Sequence, residues 1–284
     1  FDAGEILRTH VMRATWHFVA PTDIRWLQTL TAPRVRATSA SVLRANTLDA
    51  RLLSRAKDVI ARALEGGRFL TRQELRAALG RARIDAAGQR LAYIVMDAEL
   101  EALICSGPRR GKQFTYALTD ERAPGGGLRD PDDALGELAR RYFQSHGPAT
   151  IRDFVWWSGP TASPARRAID IARLRKHSVD GMDYWVMSRR APATPARDAV
   201  HLLPIYDEYV NAYRDRHVLF DAGPPAGVLF MHYLIVDGKY AGTWREGGPG
   251  SDSVTIAAQR RMSRAQQASL LSAIERRAAF RGTR

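Results

Sequence analysis

Four groups of residues have types and spacing that could do chemistry. Arg8, His10, Arg13 and His17 crowd into one alternating stretch near the start. Imidazoles and guanidinia so close could ligate a metal, cap or pack locally, or meet a DNA backbone or groove. Arg109, Arg110 and Lys112 sit in a short glycine-bounded connection, a pattern suited to phosphate contact. Asp207 and Glu208 precede Tyr209, Arg214, Asp215 and Arg216. Two carboxylates beside a cleft could do acid–base work on a glycosidic bond. An Asp–Arg network that pins a turn explains the same run. Arg245 follows Trp244, the ordinary pattern of a core aromatic beside a surface cation, though the arginine could meet phosphate. The sequence holds no Gly-Lys-Ser phosphate loop, no His-Glu-x-x-His, no Cys-x-x-Cys and no Gly-x-Ser-x-Gly.

The elements that must position these groups are legible from periodicity. Val11, Trp16, Phe18 and Val19 predict a hairpin turning near residues 12–14. Pro21-Thr22-Asp23 opens a helix carrying Ile24, Trp26, Leu27 and Leu30, which Pro33 is expected to perturb, with room for the pattern to restart afterwards. Helical spacing over 48–64 stops at Gly66-Gly67. Thr71-Arg72-Gln73-Glu74 is a capping box that starts a second helix ending near Gly80. A third helix buries Leu91, Ile94, Val95, Ala98, Leu100 and Leu103. The period then falls to 2, predicting strands at 103–106 and 114–118 around the basic connection. Three helices and a basic hairpin are the winged-helix plan, which serves DNA or protein contact.

Residues 123–127 are a linker by composition. Beyond them the plan returns: a helix through Leu135, Tyr142 and Phe143, a cap at Thr150 with Asp153, a helix from Thr161, and strands about Asp180-Gly181. The repeat is about 80 residues. Its tip is acidic where the first is basic, so the first copy is expected to face phosphate. A second linker covers 188–197. Strand-like segments follow at 201–206, 228–236, 239–245 and 254–257, with Asp237-Gly238 as a hairpin turn and a closing helix over 263–280. The expected class is α+β: tandem winged helices, then a small antiparallel barrel-like domain with a terminal helix. Expected boundaries are 1–45 for the remnant of a first winged helix, 46–122 and 128–188 for two more, and 198–284 for the barrel-like domain.

The chain has 284 residues and a net charge of +13, mostly arginine, which suits a polyanion. Its one cysteine, Cys105, excludes an internal disulfide and a cysteine-based zinc finger, and its strand position reads as a buried small residue. No apolar run is long enough to span a membrane, and no signal peptide is visible. The expected compartment is the cytoplasm, on nucleoid DNA.

Three separated motifs then carry a family resemblance. Arg8-Thr9-His10-Val11-Met12-Arg13-Ala14-Thr15-Trp16-His17, Leu203-Pro204-Ile205-Tyr206-Asp207-Glu208-Tyr209 with Tyr213-Arg214-Asp215-Arg216, and Val236-Asp237-Gly238-Lys239 with Gly242-Thr243-Trp244-Arg245 occur in that order. The whole chain resembles the AlkZ-like winged-helix DNA glycosylases, which excise alkylated bases, including crosslinked ones in some members. The resemblance implies a concave basic surface on double-stranded DNA, with residues 6–19 as the hairpin that probes the duplex. It implies no metal or organic cofactor, and a monomer is expected. The expected DNA contacts are Arg8, His10, Arg13, Thr15, His17, Arg109, Arg110, Lys112, Arg214, Arg216 and Arg245. The family's catalytic Gln-x-Gln or Gln-x-Asp precedes that hairpin and has no match here. No catalytic residue is therefore assigned, and excision is expected of a full-length parent carrying the motif. The alternative expectation is a non-enzymatic winged-helix DNA-binding protein, such as a transcriptional regulator. A protein-interaction scaffold fits the basic charge less well.

Overall fold

The computed structural model describes residues 1–125, 127–187, 196–220, 223, 227, 230–248 and 253–282. Gly126 of the first linker, residues 188–195 of the second, and Val228 and Leu229 of an expected strand lie outside them. The protein is α+β, with antiparallel sheets, and folds as two compact units. One comprises residues 1–145 and 158–176, the other 146–157 and 177–284.

The first unit begins with strands β1 (Leu7–His10) and β2 (Trp16–Val19), antiparallel with Leu7 opposite Val19 and Thr9 opposite His17. Helix α1 (Ile24–Ala45) is continuous through Pro33, where the sequence reading expected a disturbance. Pro33 removes the N–H that the Thr29 carbonyl would accept. Both residues are exposed, so water can hydrogen-bond the Thr29 carbonyl in its place.

The core follows from three amphipathic helices. Helix α2 (Ala50–Leu64) is capped by Asp49, whose side chain accepts the Leu52 N–H at 2.7 Å. Strand β3 (Leu70–Thr71) leads into α3 (Arg72–Arg81), where Thr71 and Glu74 form the reciprocal capping box. Helix α4 (Gln89–Leu100) follows. Leu53, Ile60 and Leu64 of α2 pack with Leu75 and Leu79 of α3 and with Leu91, Ile94 and Ala98 of α4. Strands β4 (Ile104–Ser106) and β5 (Thr115–Leu118) complete a sheet of order β3-β5-β4 that closes this core with Ile104 and Tyr116. Leu103 lies past the end of α4 but still packs on it. Cys105 is fully buried, and burial pushes its thiol up to about 11.

Helices α5 (Thr119–Arg122), α6 (Pro131–His146), α7 (Ile151–Ser158) and α8 (Ala162–Ile171) come next. Helices α6 and α8 fall almost wholly in the first unit and α7 in the second. Strands β6 (Arg175–Val179) and β7 (Met182–Val186) pair about Asp180-Gly181, both at positive φ. In the second unit, β8 (Val200–Leu203), α9 (Glu208–Asn211), β9 (Tyr233–Val236), β10 (Lys239–Glu246), β11 (Val254–Ala258) and α10 (Arg264–Gly282) follow. The sheet order is β11-β10-β9-β8, antiparallel throughout, so the described strands make an open sheet. Asp237 and Gly238 turn β9 into β10 with φ of 51° and 79°, the double positive φ of a tight hairpin. Leu270 of α10 covers Val200 and Leu234. No helix among the described residues is long and apolar enough to cross a membrane.

Candidate nucleic-acid interface

The β1–β2 hairpin is held by polar groups that reach into the unit's interior. His10 is buried, and its Nδ1 hydrogen-bonds Oε2 of Glu99 on α4. Glu99 is completely buried; desolvation raises its carboxyl above the usual range, against the lowering effect of His10 and Arg8. Gln28 of α1 donates from Nε2 to Thr9 Oγ1 at 2.7 Å. The Met12 N–H donates to Thr31 Oγ1 at 2.9 Å. At the turn, Met12 takes a φ of 61°, unusual for a residue with a side chain. Its carbonyl lies so close to Gly159 that a Cβ there would collide with it. Gly159 itself sits at φ +85°, so glycine is required twice over.

Alternation then sorts the hairpin's cations between two faces. Arg8 pairs across from Phe18 and His10 from Trp16, so these four side chains share one face. His17 lies opposite Thr9 on the other face. Arg13 reaches His17 there, with Nη2 3.3 Å from Nε2, and Thr15 is exposed at the turn. The expected cations do not line a single face. His10 points inward to Glu99 and is not available at the surface with the others.

On the outer face, aromatic rings surround Arg8. Its guanidinium carbon lies 3.7 Å from the Phe114 centroid and 4.6 Å from the Trp16 ring. Burial lowers the Arg8 pKa from its ordinary value. Phe1 meets Phe18 and Phe114 edge-on, with centroids 5.9 and 5.6 Å away. Phe18 is nonetheless 65% exposed and Trp16 42%.

The connection between β4 and β5 presents Arg109, Arg110 and Lys112, all exposed. Two of the three carry acids. Arg109 Nη2 lies 2.9 Å from Asp2 Oδ2 and lowers the pKa of that carboxyl to about 2. Arg110 Nη1 lies 2.8 Å from Glu74 Oε1. The Thr71 N–H and then Arg110 hold Glu74 at about 2. The arginines thus brace the β4–β5 connection on the start of the chain and on the α3 cap.

In the second unit the carboxylates that could have done acid–base work have structural duties, in keeping with the alternative of a network that pins a turn. Asp207 caps α9 by accepting the Tyr209 N–H at 2.9 Å. Glu208 accepts the Trp157 indole N–H at 2.7 Å. Arg216 donates from Nε to the Val210 carbonyl at 2.8 Å and lies over the Trp156 ring, a half-buried brace. Arg214 and Arg245 are exposed. A residue the sequence reading noted only as a cap, Asp153, is buried and accepts N–H groups from Thr150, Arg214 and Asp215. Glu99 was not singled out either. Its signal was a carboxylate at helical spacing, four and three residues after the apolar Val95 and Met96. Among the described residues, no three His, Cys, Asp or Glu side chains are grouped to hold a metal ion.

Comparisons with known proteins agree with one another. The family described as DNA glycosylase AlkZ-like matches residues 1–280. The Interstrand DNA cross-link repair glycosylase of Streptomyces sahachiroi is 26% identical over 260 residues, spanning 84% of this chain and 70% of that protein. The solved structure of Streptomyces sahachiroi DNA glycosylase AlkZ resembles this fold with a TM-score of 0.77 at 21% identity, over 97% of this chain and 80% of that one. Matched along nearly its whole length, this chain belongs to the AlkZ-like DNA glycosylase family.

Proposed function

We propose that this chain binds double-stranded DNA as part of a repair glycosylase that releases alkylated or crosslinked bases by hydrolysing the N-glycosidic bond. The observation that carries the reading is the family match over residues 1–280. The name of the Streptomyces sahachiroi relative adds crosslink repair as the substrate class. The net charge of +13 supports a polyanionic partner.

In this reading residues 46–122 are one winged helix and 128–188 repeat its chain order. Residues 1–45 carry the hairpin of another, and 198–284 are a barrel-like module. The hairpin inserts its exposed tip at the duplex. Arg13, Thr15 and His17 make backbone or groove contacts, as do Lys112 of the wing and Arg214 and Arg245 of the second unit. Arg109 and Arg110 exchange or share their acids when phosphate arrives. Glycosidic hydrolysis requires a positioned water and stabilised charge on the sugar.

Two assays on the same protein test this. Fluorescence anisotropy with a duplex at several salt concentrations should give a log–log slope of about −0.9 per phosphate neutralised. Base release from duplex carrying N7-alkylguanine, read as alkali-labile abasic sites, measures excision. Binding that ignores salt would sink the DNA reading. Tight salt-dependent binding to one short sequence alone would favour a regulator.

A further inference from the structure

We propose that the cavity beside the hairpin is a binding subsite for one unpaired nucleotide of single-stranded DNA. The cavity holds about 570 Å³ and lies wholly within the first unit, walled by Arg8 and Trp16 of the hairpin, Arg72 and Arg76 of α3, and Phe114 and Tyr116 about β5. Its size falls within the roughly 300–1,000 Å³ of small-molecule sites.

Three features point to a nucleotide. The first is charge. Three arginines and two glutamines, Gln73 and Gln113, line the cavity, and no carboxylate does. Glu74, the nearest acid in sequence, is turned to Thr71 and Arg110. The second is aromatic surface. Trp16 is 42% exposed and Phe114 38%, on either side of Arg8, where an aromatic pair otherwise buries itself. Exposed rings interleaved with arginine are how single strands are gripped without sequence preference. The third is an unspent donor. Arg8 Nε is buried and has no hydrogen-bond partner among the described residues. Leaving such a donor unmade is costly, and a base edge offers the missing acceptor. In the bound form the base meets the exposed ring surface and takes a hydrogen bond from Arg8. The phosphate lies toward Arg72 and Arg76 at the start of α3.

This goes beyond the duplex reading, because the ligand is an ordinary unpaired nucleotide and no bond need break. Repair of a crosslinked or distorted duplex creates unpaired nucleotides beside the target, so the site would hold DNA that has opened.

The probe is fluorescein-labelled (dT)6 with the full chain, read by anisotropy at fixed salt. Trp16→Ala should weaken binding by about five- to a hundredfold, the usual range for a lost base stack. Arg76→Gln should weaken it clearly more than Arg81→Gln, the same charge change at the far end of α3. Trp16 touches His10, so melting curves accompany that variant, while exposed Arg76 gives a second test free of the core. Equal losses for Arg76→Gln and Arg81→Gln, with no loss for Trp16→Ala, would mean diffuse charge attraction and overturn the site. Equal loss of (dT)6 and blunt-duplex affinity in Trp16→Ala would overturn its assignment to an unpaired nucleotide. Failure of the wild-type chain to bind duplex at all would count against the proposed function and leave the (dT)6 result standing.

Discussion

His10 and Glu99, 89 residues apart in sequence, meet through Nδ1 and Oε2 in the buried interior and tie the hairpin to α4. Gln28 extends the tie by donating to Thr9 of the same hairpin. The pose of the outer face, including Trp16 against the His10 ring, depends on this link. His10→Ala leaves the Glu99 carboxylate buried without that partner. A loss of about 3–5 kcal/mol is expected in urea denaturation at neutral pH. Glu99→Gln in the same background should recover part of it, because a neutral amide is easier to bury than an unpaired charge. A loss under about 1 kcal/mol for His10→Ala would show that the pair is no anchor.

Half-buried Arg13 and exposed Lys112 should behave differently from this buried pair. Arg13→Ala and Lys112→Ala are each expected to reduce the salt slope of duplex binding by about one unit while leaving the melting temperature nearly unchanged. Salt titrations and melting curves on each variant check this. A stable variant with unaltered affinity and slope removes that residue from the interface.

Glu74 links the β4–β5 connection and the α3 cap in a pH-dependent way. Its pKa falls from 4.5 to about 2, first through the Thr71 N–H and then through Arg110. A lowered acid contributes stability above its unfolded value and loses it as pH falls toward the folded one. The melting-temperature gap between wild type and Glu74→Gln should therefore be constant above pH 4.5 and close as pH falls toward 2. A gap that stays open at the acid end would assign the stabilisation to something other than the ionised carboxylate.

Two glycines separate backbone strain from steric collision. Gly66 and Gly159 both have positive φ, but a Cβ at Gly66 meets nothing within 4 Å, whereas one at Gly159 meets the Met12 carbonyl. Gly66→Ala should cost about 1 kcal/mol, the penalty of the conformation alone. Gly159→Ala should cost clearly more and also weaken duplex binding, because relief of the clash moves the hairpin turn. Equal melting temperatures for the two variants would refute the contact.

Local signals were enough for much of this protein. The capping boxes at Thr71–Glu74 and Thr150–Asp153 form as read, because each is decided by atoms within one helical turn. The α2, α3 and α4 core follows from 3.6-residue spacing and the Asp237-Gly238 turn from its backbone preference. The motifs along the chain sufficed for the family. What the sequence alone did not decide is which polar side chains face inward. His10 and His17 look alike in a run of alternating residues, and strand parity alone would put His10 on the outer face beside Arg8 and Trp16. Only the arrival of α4 behind β1 sets Glu99 against the His10 ring and draws it from solvent. Arg216 is likewise a brace rather than a free cation because Trp156 and the Val210 carbonyl meet it there. Phe114 becomes the partner of Arg8 across 106 residues of chain through the packing of the hairpin against β4, where the Arg8 N–H finds Ser106 at 2.8 Å. Such pairings depend on where separate elements dock. Hydrophobic burial drives that docking, and no periodicity within a single element records it.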